Sequence, residues 1–319
     1  MLLDVAPDGG DIDTFYSTKP VLFCNTFNYE VHMKSRQSLP YAFLLPTMLI
    51  LLVLALVPTV YAINISLQDK TLISPNSSYV GFENYIELFS DRRFINSLWV
   101  SLKWEVITVT STMVTAIVIG VLMFEVLGPR LRNVLCLIFL IPVLLPRVCA
   151  AFVWKFAFHP LYGIVTYPYR LITGDTLEIL SNPDLALFAV AFVDTWQWGF
   201  FFAVIILKLL EALPPQPLEA ARLDYTKPWQ THVYITLPML KAPLISLIFV
   251  KAIESLRSFD LVYIMTRGGP GISTETLDMY AFSQGFIEAG KISYASSMAV
   301  LMMLMTILVF TVIWKKARV

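Results

Sequence analysis

From Leu39 to Ile63 the chain reads "LPYAFLLPTMLILLVLALVPTVYAI", without one charged side chain. A run so long and so apolar belongs in the hydrocarbon of a membrane. Lipid offers no partner to a bare backbone amide, so such a run must be helical. Similar runs recur along the 319 residues, of which 57% are hydrophobic and 14% charged. A soluble domain carries about a quarter charged residues. The reading is therefore all-α and polytopic, with six transmembrane helices. They are expected near Leu39–Ile63, Ser97–Leu127, Val134–Phe158, Leu185–Leu210, Pro243–Thr266 and Tyr294–Trp314. At about 1.5 Å rise per residue, each spans the roughly 30 Å hydrocarbon layer. Pro58, Pro142 and Pro146 then require kinks or support from neighbouring helices.

Formal net charge is zero, so total charge gives no argument for nucleic acid. Where the charges lie is more informative. Lys34, Arg36, Arg130, Arg132, Lys208, Arg222, Lys227, Lys241, Lys315, Lys316 and Arg318 all fall on the side of the N-terminus. Lys70, Arg92, Arg93, Arg170, Arg267 and Lys291 are diluted over longer, acid-rich loops opposite. The bias makes the first side cytoplasmic and places both termini there. The opening "MLLDVAPDGGDID" is acidic and broken by Pro7, Gly9 and Gly10, unlike a signal peptide. Residues 1–38 are expected to form a cytoplasmic N-terminal extension, and residues 39–319 the transmembrane unit. Two sequons, at Asn64 and Asn76, fall on the outer side and read as chance matches. Cys24, Cys136 and Cys149 suggest no disulfide framework.

Between the fourth and fifth spans, at about 211–241, lies the cytoplasmic loop "LEAARLDYTKPWQTHVYITLP". Pro215 and Pro217 suit a first helical turn, and Glu219 near the N-terminus suits the helix dipole. Ala220 and Ala221 favour helix and add no bulk. A small flat surface flanked by Glu219, Arg222 and Asp224 fits another protein's groove; a linker lying on the membrane fits equally. A second short helix is expected from near Pro228 to Pro238, with Thr226 as its cap.

Glu219-Ala220-Ala221, followed at the expected spacing by Ile235, Leu237 and Pro238, resembles the EAA loop of ABC importer permeases. Tyr225 stands where that pattern has glycine. A left-handed turn would cost tyrosine about 1–2 kcal/mol, which bears on the shape of the turn and not on the resemblance. "FDLVYIMTRGGPGISTETLDMYAF" and "VDTWQWGFFFAVIILKLLEALP" are similar to the fifth-helix exit and the fourth helix of the sugar-transporting branch. The likeness covers roughly residues 40–315. It implies a type I ABC importer permease fold and one transmembrane subunit of an ATP-driven importer of a sugar or oligosaccharide. The implied partners are a second permease subunit, two cytoplasmic ABC ATPase subunits and a periplasmic or lipid-anchored solute-binding protein, in a bacterial inner membrane. Glu219, Ala220, Ala221, Asp224 and Tyr225 would then contact the ATPase. This chain would hold no cofactor; ATP and Mg would bind the partner subunits.

The fifth segment carries Lys251, Glu254, Arg257 and Asp260 at three-residue intervals, on one broad helical face. Charges within a membrane face a cavity or one another. The first alternative is a pair of salt bridges, Lys251 with Glu254 and Arg257 with Asp260. The second is a polar pathway lining, joined by Arg147 and Asp194. Trp196 and Gln197 suit a sugar, through ring stacking and amide hydrogen bonds, and Trp198 suits an interfacial anchor. The cations would accommodate an acidic sugar such as a uronate oligosaccharide.

Enzyme chemistry does not stand out. "RGGPG" at Arg267–Gly271 lacks the lysine and Ser/Thr of a P-loop. His32, His159 and His232 are too dispersed to indicate a metal cluster, and no nucleophile elbow is present. A self-contained secondary transporter is the alternative, but it predicts inverted repeats, and none is visible.

Overall fold

A computed structural model of the chain describes residues 38–74, 78–223, 227–288 and 290–317. It divides into two units, residues 1–56 and 57–319. The described part of the first unit is the opening of α1 (Ser38–Ser66), which is exposed from Leu44 through Leu56. A helix apolar on all sides needs lipid or other helices around it.

In the second unit α1 ends against a short hairpin, β1 (Gln68–Asp69) with β2 (Ser78–Tyr79), antiparallel with Gln68 opposite Tyr79. Asn84 ties the two together by donating to the carbonyls of Ser66 and Gln68. Asn64, the first sequon position, lies in the last turn of α1 and accepts from Tyr79, while Ser66 is fully buried. Asn76, the second sequon position, lies outside the described residues.

Then follow α2 (Glu83–Ser90), α3 (Arg92–Val126), α4 (Pro129–Leu144), α5 (Arg147–Ala157), α6 (Tyr167–Thr173) and α7 (Pro183–Glu211). The polar loop contributes α8 (Pro215–Leu223) and α9 (Pro228–Thr231), with a π-helical turn (His232–Thr236) leading to α10 (Leu237–Met239). The last elements are α11 (Lys241–Ser255), α12 (Phe259–Met265), α13 (Leu277–Phe282) and α14 (Ile292–Ala317). Cap chemistry starts the long helices. Asp91 accepts from the Arg93 amide at 2.8 Å, and Asn182 from the Asp184 amide at 2.9 Å, each satisfying a donor that the first turn leaves free.

All six expected apolar segments are helical, but two are not single helices. By length and composition α1, α3 and α7 can each cross a membrane, and two bent helix pairs can add up to two more crossings. The third segment breaks at Leu145–Pro146 into α4 and α5, bent by 95°. Proline lacks the amide for the helical ladder and drives the preceding residue into extended geometry, where Leu145 is found (φ −73°, ψ 131°). The fifth segment ends its first helix at Ser255, and α12 starts at Phe259. A bend of 77° separates the end of the polar loop from α11. The final helix is 26 residues long.

The core of this unit is the packing of α3 on α7. Ala116 and Ala203 are fully buried there, and a Cβ added to Gly120 would lie 2.9 Å from Ile206 Cγ2 and 3.1 Å from the Ala203 carbonyl. Small side chains let helix backbones approach closely where lipid supplies no hydrophobic drive. At the start of α3, Arg93 grips Glu275 and Glu288, each at 2.7 Å. Asp91 accepts hydrogen bonds from the hydroxyls of Tyr280 and Tyr294. Burial works to raise the Asp91 carboxyl, but these bonds and the backbone amides outweigh it and hold it below the usual range.

Replacing Gly120 by leucine should cost about 1–3 kcal/mol by overpacking. It should lower the thermal midpoint of the detergent-purified protein. Gly128→Ala, with nothing within 4 Å of the added Cβ, should leave that midpoint unchanged.

Candidate transport pathway and coupling loop

The membrane charges form a closed ring. Asp194, in the middle of α7, is fully buried and accepts from Lys251 Nζ at 2.6 Å through one oxygen. Its other oxygen pairs with Arg147. Lys251 Nζ also donates to Glu254 at 2.8 Å, and Arg147 closes the circuit with Glu254 at 3.2 Å. Two cations and two anions cancel. Asp194 and Lys251 are fully buried and Arg147 and Glu254 nearly so, and each charge keeps opposite charge beside it, the condition under which buried ions are tolerated.

Three helices meet at this ring because α5 and α7 each place one residue there and α11 places two. Arg147 is the first residue of α5, after the Pro146 break; Asp194 lies on α7; Lys251 and Glu254 are neighbouring turns of α11. Arg147 also donates to the backbone carbonyl of Arg257, just past the point where α11 stops. Gln197, one turn beyond Asp194, donates to the Leu145 carbonyl at 2.6 Å. Both helix breaks thus have a carbonyl satisfied by a side chain from another helix.

The expected pathway residues separate into two groups. Arg147, Asp194, Lys251 and Glu254 come together, with Gln197 beside them. Of the two salt bridges considered, Lys251 with Glu254 is present. Arg257 and Asp260 form no ion pair among the described residues and are both exposed, because the chain leaves helical geometry between them and the three-residue spacing no longer sets one face. Trp196 packs edge-on to Trp154, with ring centroids 5.4 Å apart, and contributes to an aromatic cluster with Phe192 and Phe158. Trp198 lies 5.5 Å from the Lys251 ammonium, within cation–π range. Cys136 is buried as expected for a packing residue, whereas Cys149 on α5 is exposed.

Glu105 is a residue that the sequence reading did not single out. It belongs to the polar first half of α3 and accepts from Ser255 Oγ at 2.5 Å. With Ser101, Ser255, Ser258, Asp278 and Thr306 it supplies polar groups to a mainly apolar cavity of about 240 Å³. Its signal in the sequence was an acid within a membrane segment.

In the polar loop, Glu219 and Ala220 are exposed on α8 while Ala221 is buried at 2% exposure. The three residues thus present an acid and a small side chain outward and use the third for packing. Asp224, Tyr225 and the expected cap Thr226 lie outside the described residues. The second helix begins at Pro228, as expected, but continues as a π-helical turn.

A polytopic helical fold with a buried charge ring and a small-faced polar loop defines a membrane transport component. The chain belongs to the family of binding-protein-dependent transport system inner membrane components, whose model matches residues 116–315. The trehalose/maltose transport system permease MalF of Thermococcus litoralis is 29% identical, over 91% of this chain and 97% of the relative. The sulfoquinovosyl glycerol transport system permease SmoG of Agrobacterium fabrum is 30% identical, over 74% and 76%. The solved structure of a bacterial ABC transporter that imports the acidic polysaccharide alginate matches with a TM-score of 0.76 at 19% identity, over 89% of this chain and 96% of that one. That likeness establishes the fold. The chain is a multi-pass membrane permease subunit and not an enzyme.

Breaking the ring on one side should be costly. Lys251→Met or Asp194→Asn alone leaves an unbalanced buried charge and should destabilise by about 3–5 kcal/mol. The double variant, which retains the Arg147–Glu254 pair, should recover most of that loss. Thermal unfolding of the four proteins gives the coupling directly.

Proposed function

We propose that this chain is one of two related permease subunits of an ATP-driven importer for a sugar or oligosaccharide. The single observation that carries the coupling half of this reading is α8, with Glu219 and Ala220 exposed and Ala221 turned inward. A helix so built seats closely in a groove of a cytoplasmic ATPase, with Glu219 as the polar contact. Asp224 and Tyr225 follow it in sequence and complete the docking segment. Closure of the ATPase pair on ATP and Mg, both held by those partners, moves the loop and so the helices on either side.

Hydroxylated cargo is supported by the relatives, whose names specify trehalose/maltose and sulfoquinovosyl glycerol. Arg147, Asp194, Lys251 and Glu254 form the polar part of the pathway, with Gln197 and Trp196 beside it and Arg257 and Asp260 at its exposed end. The ring offers both signs of charge, so neutral and uronate oligosaccharides both belong in a substrate screen. A periplasmic or lipid-anchored binding protein delivers the cargo. The lysine and arginine bias supports a bacterial inner-membrane protein with both termini, including the extension 1–38, in the cytoplasm.

The test is uptake and ATP hydrolysis by the reconstituted complex with liganded binding proteins. Glu219→Arg should abolish stimulated hydrolysis and uptake by at least tenfold while the membrane subunits still assemble. Unchanged hydrolysis and uptake in that variant would refute the docking role of α8.

A further inference from the structure

His232 lies at the start of the π-helical turn that follows α9 and is only 5% exposed. Its Nε2 sits 2.9 Å from Glu125 Oε1, in the last turn of α3. The imidazole also packs edge-on to Phe124, centroids 6.4 Å apart. This is a specific polar contact between the polar loop and a long helix, at a point where that helix is held firmly. The Arg132 guanidinium donates to the carbonyls of Met123, Phe124 and Leu127. It also pairs with Glu211 of α7 at 3.3 Å. Glu125 therefore stands on a fixed base.

The same helix makes a second polar junction in its first half. Trp104 Nε1 donates to the Ser255 carbonyl at 2.9 Å, and Ser255 Oγ donates to Glu105 at 2.5 Å. Ser255 is the last residue of α11 and the immediate neighbour of Glu254 in the charge ring. Between Glu105 and Glu125 the chain is unbroken α-helix without proline, which sets the two junctions about 30 Å apart. The loop is thus joined to the ring by three routes: through the chain back into α7 and on into α11, and across His232–Glu125 into α3.

We propose that Glu125 and His232 form a positioning pair that makes α3 and α11 move as one lever when the polar loop is displaced. Without the pair, loop motion reaches α11 across the 77° bend at Leu240 and reaches α3 only through its packing on α7, so α3 and α11 no longer move in step. The contact then holds the Ser255 junction, and with it the Glu254 side of the ring, in step with the loop. This inference rests on the ATPase-docking reading of α8, but it assigns a role that the docking residues do not have.

The test uses the full complex with its ATPases and binding protein in liposomes, and reads solute moved per ATP hydrolysed. Glu125→Gln and His232→Gln should each lower that ratio by about fivefold or more, with ATPase subunits still co-purifying. The swapped pair, Glu125→His with His232→Glu, should restore most of it. A ratio unchanged in both single variants, or not restored by an assembled swap, would overturn the proposal. If the single variants fail to assemble, Glu125→Cys and His232→Cys are joined by a short bifunctional thiol reagent in a background lacking the native cysteines. A lever keeps the pair together through the cycle, so the cross-linked complex should still transport; loss of transport on cross-linking overturns the idea. Should Glu219→Arg leave coupling intact, the docking reading fails. Should Glu219 matter while Glu125 and His232 do not, only the lever fails.

Discussion

A carboxylate with no exposure to solvent, Asp194, is the point on which the helices of this permease converge. In water an isolated carboxylate needs no partner, but in a membrane interior it needs a cation beside it. Here it takes two, Arg147 from α5 and Lys251 from α11. Each of those then needs its own balance, and Glu254 supplies both. Satisfying one charge thus fixes three helices relative to one another, with geometry that dispersion contacts alone would leave loose. The small-residue packing of α3 on α7 holds the fourth helix to the same group.

The two helix breaks follow the same logic. A break frees backbone groups, and within lipid each free group is expensive unless a partner arrives. Gln197 and Arg147 supply partners to the carbonyls of Leu145 and Arg257. Side chains chosen for polarity therefore serve the backbone as well as any cargo. Lining and structure are properties of the same atoms here, which is why a polar residue in such a segment cannot be sorted into one role by its chemistry alone.

Much of the architecture was legible because its causes are local. Long uncharged runs dictate helices wherever the chain goes, and Pro215, Pro217, Glu219 and the two alanines dictate a helix start. The member identities of the ring were visible too, since Arg147, Asp194, Lys251 and Glu254 are rare residue types in apolar segments. Their pairing was not. The three-residue spacing suggested a second bridge from Arg257 to Asp260, but spacing predicts neighbours only where helix continues, and α11 ends first. Likewise Pro146 announced a disturbance, though its 95° consequence depends on how α7 receives the broken end. His232 looked unremarkable in sequence because Glu125, its partner, lies far away along the chain, and nothing local connects them.

The Leu145 carbonyl carries a consequence for the order of synthesis. Its hydrogen-bond donor, Gln197, belongs to a helix that leaves the ribosome after α4 and α5 have been made. The same is true of Arg147, whose counter-charge Asp194 arrives with that same helix and whose second, Glu254, comes later still. Until α7 arrives, the corner between α4 and α5 holds an unsatisfied carbonyl and an unpaired guanidinium, neither of which hydrocarbon accepts. The corner must therefore wait in a wet setting, at the lipid headgroups or within the insertion machinery, and sink to its final depth together with α7. The chain's middle third enters the membrane as a unit, in an order imposed by the groups that complete one another.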